Sequence, residues 1–201
     1  MNMWDIENGN YEQGIRLICG VDEAGRGPLA GPVCAAAVLL PANLEIPGLN
    51  DSKKLSDKRR RELIPVICRE AIAWSVAFAD HNELDEINIL QATYLAMERA
   101  IKGLSVEPEL ALIDGNRAKD FGVPVQTVIH GDSLSASIAA ASILAKVSRD
   151  DLMLEMEKEY PGYGFEIHKG YGTKAHYEAI QAKGPSPIHR MTFLKKLYGT
   201  K

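Results

Sequence analysis

Hydrophobic positions early in the chain form two short runs that are separated by a polar loop rich in glycine. The runs cover residues 16–22 and 33–40, and their length and apolar content predict two buried strands. The loop between them is long for a tight hairpin, which indicates that it has a function of its own. We therefore expect an antiparallel pair of strands with this loop at one edge of a sheet.

Downstream, the pattern alternates between helical and strand periodicity. Helices are predicted over about 56–71, 82–103, 131–160 and 174–182, and strands over 73–79, 110–113 and 123–129. Pro65 is expected to kink the first of these helices, and Pro161 to end the third. Strands followed by helices that are interleaved with further strands predict an α/β fold with a mixed sheet.

The composition fits a globular chain of one domain. It has 201 residues, 46% of them hydrophobic, and a net charge of −4, which argues weakly against nonspecific coating of nucleic acid. No apolar run reaches the roughly 18 to 20 residues of a membrane span, and residues 1–13 are polar and acidic, so we expect a cytoplasmic protein without membrane association. Cys19, Cys34 and Cys68 are interpreted as core residues in a reducing compartment.

Four carboxylates lie at the end of an apolar strand or at the start of a helix that follows one. They are Asp22, Glu23, Asp114 and Asp132. Because strand ends converge along one edge of an open α/β sheet, these side chains can meet although they are far apart in sequence. Carboxylates held together repel each other unless divalent cations lie between them. All-oxygen ligation favours magnesium or manganese over zinc.

Each acid also has an ordinary structural interpretation. Asp114 and Gly115 form a common turn pair, Asp132 can cap a helix, and Asp22 can fold over its own backbone in an Asx turn. Four independent turn acids would rarely all fall where strand ends meet. The pattern of the whole set therefore favours a metal site.

Gly25 and Gly27 lie on either side of Arg26 in the loop after the first strand. Because glycine lacks a Cβ, this backbone can adopt left-handed dihedral angles and approach a bulky ligand closely, such as a phosphodiester or a sugar. A dinucleotide-binding loop requires a different glycine spacing and opens a helix. The alternative is an ordinary hairpin with a solvated Asp-Glu pair.

The helix predicted after Asp132 carries a narrow polar stripe. Its members are Ser135, Ser142, Lys146 and Arg149. The stripe could face a phosphate backbone, or it could simply face solvent. Basic clusters elsewhere in the chain are more often solvated helix faces than binding surfaces.

Together these motifs resemble the ribonuclease HII family, the bacterial type 2 ribonucleases H. The resemblance extends from Leu17 to Phe193, and it is carried by segments 21–31, 51–55, 87–92, 113–116, 131–147 and 168–173. It implies a ribonuclease H-like fold, a five-stranded mixed sheet flanked by helices. It also implies a single domain over residues 1–201, with a small helical C-terminal part over roughly 162–201.

The resemblance implies a metal-dependent endonuclease. The four acids would bind two Mg²⁺ or Mn²⁺ ions, bridged by Asp22, and these would be the catalytic residues. The substrates would be RNA-DNA hybrids and duplex DNA that contains a single ribonucleotide, cut on the 5′ side of the ribonucleotide to leave a 5′-phosphate and a 3′-hydroxyl. We expect a monomer that acts in ribonucleotide excision repair.

The resemblance also assigns contacts to the nucleic acid. Loop 25–27 would read the ribose, and Tyr171 would stack on the deoxyribose that follows the ribonucleotide. On the residues alone, Tyr171 could instead be a core tyrosine in a glycine-rich loop. The predicted phosphate contacts are Lys53, Lys54, Lys146 and Arg190.

Two other functions stay open at this point. A DNA-directed nuclease of the same fold, such as a junction resolvase or an integrase core, would share the acids without testing for ribose. A non-catalytic nucleic-acid-binding module is disfavoured, because the acids would only weaken its binding.

Overall fold

A five-stranded mixed sheet forms the centre of the structure, a computed structural model that describes residues 2–198. The strands are β1 (Ile18–Ala24), β2 (Val33–Leu39), β3 (Ala73–Ala79), β4 (Leu110–Asp114) and β5 (Val125–Val128), in the order β3-β2-β1-β4-β5. β1 pairs antiparallel with β2 and parallel with β4. The predicted mixed sheet and the predicted antiparallel pair are both confirmed, although β5 is shorter than expected.

The helices cover both faces of this sheet. They are α1 (Asp5–Glu12), α2 (Asp57–Glu70), α3 (His81–Lys102), α4 (Gly131–Leu134), α5 (Ala136–Glu159), α6 (Phe165–His168), α7 (Lys174–Lys183) and α8 (Lys195–Tyr198). α3 packs on the face that carries Cys19 and Val21, whereas α2 and α5 pack on the face that carries Cys34 and Ala36. The sequence did not predict α1, because this helix buries polar residues such as Glu7 rather than an apolar stripe.

α5 packs closely against β1 because small residues line the contact. A Cβ on Gly20 would overlap the backbone of Ser137, and the buried side of α5 is rich in alanine. This close approach places the first turns of α5 beside the end of β1, where the predicted acids lie.

The long helix predicted over 131–160 is broken at Ser135, so the prediction of one continuous helix was wrong. Ser135 has an extended backbone (φ −124°, ψ 128°), and its hydroxyl accepts a hydrogen bond from the Ile138 N–H as the N-cap of α5. The buried Glu7 carboxylate accepts from the Ser135 hydroxyl and the Ser137 N–H. A contact from α1 thus fixes the break and leaves Asp132 on its own short helix.

Of two other predicted helices, one agrees with expectation and one differs in detail. α2 continues past Pro65 to Glu70, close to its predicted end near residue 71. α3 begins after Asp80, which forms a capping box with Glu83, and it is interrupted at Asn88 (φ 69°, ψ 165°). The Asn88 side chain accepts from two following backbone N–H groups and so caps the second half of α3.

The C-terminal part packs on the loop between β1 and β2. Ala30 and Phe165 share one apolar cluster, Leu29 and Ile180 share another, and Ala30 forms an isolated bridge with His189. The division of the domain near residue 162 stays a prediction, and residues 199–201 of the predicted extension lie outside the described part.

The described part has two further properties that bear on the sequence predictions. Cys19 and Cys34 are buried, Cys68 is half-buried, and all three are free thiols. Between residues 2 and 198, none of the helices combines the length and the apolar character that a bilayer crossing requires.

Candidate active site

Three of the four predicted acids meet at one edge of the sheet. Asp22 lies near the end of β1, Asp114 ends β4, and Asp132 lies in α4. Because β1 and β4 are adjacent and parallel, with Val21 opposite Ile113, the first two acids leave the sheet side by side. One carboxylate oxygen from each of the three acids lies within 4.8 Å of the others. We call these three residues the carboxylate triad.

Glu23 stands apart from the carboxylate triad because successive side chains of a strand point to opposite faces. Its carboxylate pairs with the Arg26 guanidinium at 3.3 Å. It still borders the same cleft, together with Asp22 and Asp114. The structure therefore keeps Glu23 near the triad without making it a member.

The carboxylates of the triad are buried or half-buried and repel one another. Burial raises the pKa of Asp22 well above its usual range, and the charges of Glu23 and Asp114 raise it further, against hydrogen bonds from Ser142 and the Glu23 N–H. Burial also raises the pKa of Asp114, and the Asp132 charge adds to the effect. Buried, mutually repelling carboxylates with only oxygen donors fit a hard divalent cation.

Two predicted phosphate-binding lysines lie at the rim of this site. Lys53 Nζ is 3.1 Å from Asp132 Oδ2, while 77% of the Lys53 side chain stays exposed. Partial burial lowers the pKa of Lys53, but the hydrogen bond and charge of Asp132 outweigh it, and the net pKa is raised. Lys54 Nζ donates to the Ser133 hydroxyl at 3.2 Å. The Lys53 ammonium therefore stays charged at neutral pH.

Loop 25–27 and Tyr171 line the same cleft as the acids. Its volume is about 260 Å³, and its lining includes Asp22, Glu23, Gly25, Arg26, Gly27, Lys53, Asp114, Lys146 and Tyr171. Tyr171 is 44% exposed, so the alternative of a core tyrosine is excluded. A Cβ on Gly27 would lie 3.5 Å from Tyr171 Cε1, which places the tyrosine ring directly beside the loop.

Three of the four members of the polar stripe on α5 are buried rather than exposed to solvent. Ser135, Ser142 and Arg149 are buried, and the Ser142 hydroxyl is hydrogen-bonded to that of Ser52 at 2.7 Å. Ser142 and Lys146 border the cleft, and the Lys146 ammonium binds both carboxylate oxygens of Asp150. The solvent-facing interpretation was therefore wrong for the three buried members, whereas Ser142 and Lys146 stay beside the cleft.

The predicted phosphate contact of Arg190 is also contradicted. Arg190 has no exposed surface, and its guanidinium donates to four backbone carbonyls. A side chain that is buried and fully engaged with the backbone has no free face for a phosphate. Sequence spacing carries no signal that separates such an arginine from one at the surface.

A second cleft, of about 300 Å³, opens on the α3 side of the same acids. It is lined by Glu23, Arg26, Leu90, Thr93, Tyr94, Met97, Asp114, Gly115, Asn116 and Arg117. Asn116 was predicted only as part of a strand end, and Arg117 was not predicted to contribute to a site. Glu23 and Asp114 therefore separate two clefts at the sheet edge.

Comparison with known proteins identifies the family. The family model described as Ribonuclease HII matches residues 19–196, which is nearly the whole chain and includes the carboxylate triad, loop 25–27 and Tyr171. The chain belongs to the ribonuclease HII family. Enzymes of this family are metal-dependent endonucleases that degrade the RNA of RNA-DNA hybrids. Membership therefore disfavours the DNA-directed nuclease and the non-catalytic module.

Individual ribonuclease HII relatives agree with this assignment. The Ribonuclease HII of Caldicellulosiruptor bescii is 53% identical over 196 residues, which cover 98% of this chain and 95% of that one. Among solved structures, the ribonuclease H2 of Pyrococcus horikoshii has a TM-score of 0.73 at 24% identity and covers 92% of this chain and 99% of its own. Bst-RNase HIII in complex with Mn²⁺ has a TM-score of 0.64 at 22% identity, with 87% and 65% covered. These two structures establish the fold alone.

We expect the stability of this protein in a metal chelator to decrease as pH rises. Burial, with the neighbouring charges, raises the pKa of Asp22 in the folded state, so this contribution to stability is present at low pH and is lost as pH rises through the raised pKa. Asp22→Asn removes the effect, and the melting temperature of the variant should exceed that of the wild type by a margin that grows as pH rises above the usual range of an aspartate carboxyl. A margin independent of pH would contradict the repulsion within the triad.

Proposed function

We propose that this chain hydrolyses the RNA strand of RNA-DNA hybrids and also cuts duplex DNA on the 5′ side of a single embedded ribonucleotide. The products would carry a 5′-phosphate and a 3′-hydroxyl. The observation that carries this proposal is one cleft in which Asp22 and Asp114 lie together with loop 25–27 and Tyr171. A site that combines acids for hydrolysis with a close backbone approach suits a ribose-containing phosphodiester.

The carboxylate triad and Glu23 would hold two divalent cations, Mg²⁺ or Mn²⁺. When bound, such ions supply an activated water and stabilise the departing 3′-oxygen. The chain itself holds Asp22 in place through the N–H of Glu23, which donates to Asp22 Oδ1 at 2.7 Å, and positions Asp114 through the Gly131 N–H at 2.7 Å. The Mn²⁺ complex of Bst-RNase HIII, a protein of the same fold, supports manganese as one of the ions.

Lysines around the cleft would bind the phosphates on either side of the cut. Lys53 and Lys54 lie at one rim and Lys146 borders the floor. Because phosphate contacts release counterions, we expect affinity for the duplex to fall as salt rises. Arg190 is not part of this set.

Loop 25–27 would distinguish ribose from deoxyribose in the substrate. The 2′-hydroxyl is the sugar group that separates RNA from DNA, and the open space above Gly27 lets backbone groups reach it. Gly27 has no protein atom closer than 3.5 Å to the position of an added Cβ. Its lack of a side chain therefore leaves room for substrate rather than for another part of the protein.

Tyr171→Ala should reduce cleavage of a single-ribonucleotide duplex by about tenfold more than it reduces cleavage of a long RNA-DNA hybrid. The exposed ring beside Gly27 would stack on the deoxyribose that follows the ribonucleotide, a contact that a long hybrid does not offer. Kinetics on the two substrates measure the difference. Tyr177→Ala, which removes another exposed tyrosine, is the matched control. Equal losses on both substrates would refute the junction-sensing role.

A cleavage assay on matched duplexes tests the whole proposal. The substrates are a duplex with one ribonucleotide, a full RNA-DNA hybrid and an all-DNA duplex of the same sequence, each with Mg²⁺ and with Mn²⁺. We expect cleavage of the first two and none of the third. Cleavage of all-DNA duplex at a similar rate would instead support a DNA-directed nuclease.

Since one chain supplies the entire cleft, we also propose that the enzyme acts as a monomer. It would act in the cytoplasm, in ribonucleotide excision repair.

A further inference from the structure

Two buried arginines lie beneath the loop between β1 and β2. Arg149 comes from α5 and Arg190 from the C-terminal part, and both have almost no exposed surface. Arg190 donates through Nη2 to the Gly25 carbonyl at 2.6 Å and through Nη1 to the Arg26 carbonyl at 3.0 Å. We call Arg149 and Arg190 the arginine pair.

The arginine pair also holds the far end of this loop. Arg190 donates to the carbonyls of Gly31 and Pro32 at 2.8 and 3.1 Å. Arg149 donates to Pro32 at 3.0 Å and to Ala30 at 3.2 Å. One pair of side chains thus fixes both ends of the loop through its backbone.

Arg149 extends the same support to Tyr171. It donates to the Lys169 carbonyl at 3.0 Å, two residues before the tyrosine, and its guanidinium carbon lies 6.0 Å from the Tyr171 ring centroid. A Cβ on Gly25, where φ is +95°, would overlap the Arg149 side chain. The loop and the tyrosine therefore rest on one common support.

This arrangement is costly for the fold. Within residues 2–198 neither arginine forms an ion pair with a carboxylate, and the two cations are close neighbours. Burial lowers the pKa of both groups, and the Arg149 charge lowers that of Arg190 further, although guanidinium stays protonated at neutral pH. Buried charges of this kind contribute little net stability compared with apolar side chains of similar volume. Their specific geometry therefore points to a role in the site.

The orientation of the loop carbonyls determines where its N–H groups point. A peptide unit is planar and trans, so a carbonyl that turns inward sends the N–H of the next residue outward. With the Gly25 and Arg26 carbonyls turned toward Arg190, the N–H groups of Arg26 and Gly27 face away from it. Among the described residues, neither of these N–H groups has a hydrogen-bond acceptor. Both residues line the cleft.

We infer that Arg190, supported by Arg149, is a positioning residue that aims the Arg26 and Gly27 N–H groups at the 2′-hydroxyl of the ribonucleotide. The inference rests on the proposed function. It assigns the discrimination between ribose and deoxyribose to backbone N–H donors. Arg190, in the C-terminal part and more than 150 residues away in sequence, sets the direction of these donors. Arg190 does not contact the substrate itself.

A spectroscopic experiment tests the positioning without relying on activity. In ¹⁵N-labelled, metal-free protein, Arg190→Met should shift the amide signals of Arg26 and Gly27 and lower their heteronuclear NOE values. The amide of Gly131, which donates to Asp114, should be unchanged. Arg69→Met, which removes an exposed arginine, is the matched control. Unaltered signals for Arg26 and Gly27 would overturn the inference, whatever the enzyme cleaves.

Kinetics test the consequence for the substrate. Arg190→Met should lower kcat/KM on a single-ribonucleotide duplex by about thirtyfold, while affinities for Mn²⁺ and for all-DNA duplex change by less than about twofold. Arg190→Lys should give an intermediate rate, because an ammonium cannot reproduce the planar fork. Cleavage by Arg190→Met within about threefold of the wild-type rate, or an equal loss of Mn²⁺ affinity, would overturn the inference. If Arg190→Met fails to fold, the kinetics of Arg190→Lys test the inference instead. A wild-type rate for Arg190→Lys would then overturn the inference. Failure of the wild-type enzyme to cleave at the ribonucleotide would refute the proposed function instead.

Discussion

Asp22→Asn is expected to reduce cleavage of a single-ribonucleotide duplex by about a thousandfold or more, because it would remove a charge that the proposed metal ions would share. Asp22 is buried and close enough to Asp114 and Asp132 for all three to contact a common ion. Asparagine keeps the size of the side chain but halves its capacity to bind hard cations. Duplex binding should stay measurable, since Lys53, at the rim of the cleft, is unchanged. Single-turnover cleavage and fluorescence anisotropy measure the two properties.

Asp120→Asn is the matched control for this variant. Asp120 is exposed, and its side chain accepts a hydrogen bond from the Gly122 N–H, which asparagine can also accept. This variant should cleave at the wild-type rate. Addition of Mn²⁺ should raise the melting temperature of the wild type and of Asp120→Asn but leave Asp22→Asn nearly unmoved. Near-normal turnover by Asp22→Asn would refute the assignment of the metal site.

Gly27→Ala is expected to lower cleavage by about a hundredfold, the scale of a misplacement of about 1 Å at a reacting centre. The added methyl group would stand in ordinary van der Waals contact with Tyr171, so the fold should tolerate it. It would, however, occupy the space through which the backbone is proposed to reach the ribose. The melting temperature should therefore change little while kcat/KM falls on every ribose-containing substrate.

Two other glycines separate this effect from general damage. Gly9→Ala adds a methyl group in α1 where no atom lies within 4 Å, and it should leave activity unchanged. Gly25→Ala should behave differently from both, since its positive φ and the overlap with Arg149 predict lost stability. An unchanged rate of Gly27→Ala on an RNA-DNA hybrid would count against the ribose contact.

Local pattern was sufficient to predict most of the sheet and the position of its acids. The apolar run before Asp22 and the run before Asp114 are strands buried on both faces, and such strands bring the residues at their carboxyl ends to a common edge. The exposed position of Tyr171 needed the structure, but the glycine-rich context that makes it accessible was visible in the sequence.

Long-range contacts account for the features that the sequence did not reveal. The break at Ser135 depends on Glu7, from a helix that has no apolar stripe to announce it. Likewise, Arg149 and Arg190 look like surface cations by spacing, and only the folded loop supplies the carbonyls that hold them. Predictions therefore failed where a polar group finds its partner more than a hundred residues away.

The pairing of β1 with β4 makes the active site sensitive to chain length as well as to side-chain identity. Asp22 points toward α5 and Glu23 toward α3, and Val21 sits opposite Ile113. An insertion or deletion of a single residue ahead of Asp22 would exchange the two faces along the rest of the strand. Such an indel would carry the Asp22 carboxylate to the opposite side of the sheet, away from Asp132, so this strand should evolve by substitution and retain a fixed residue count.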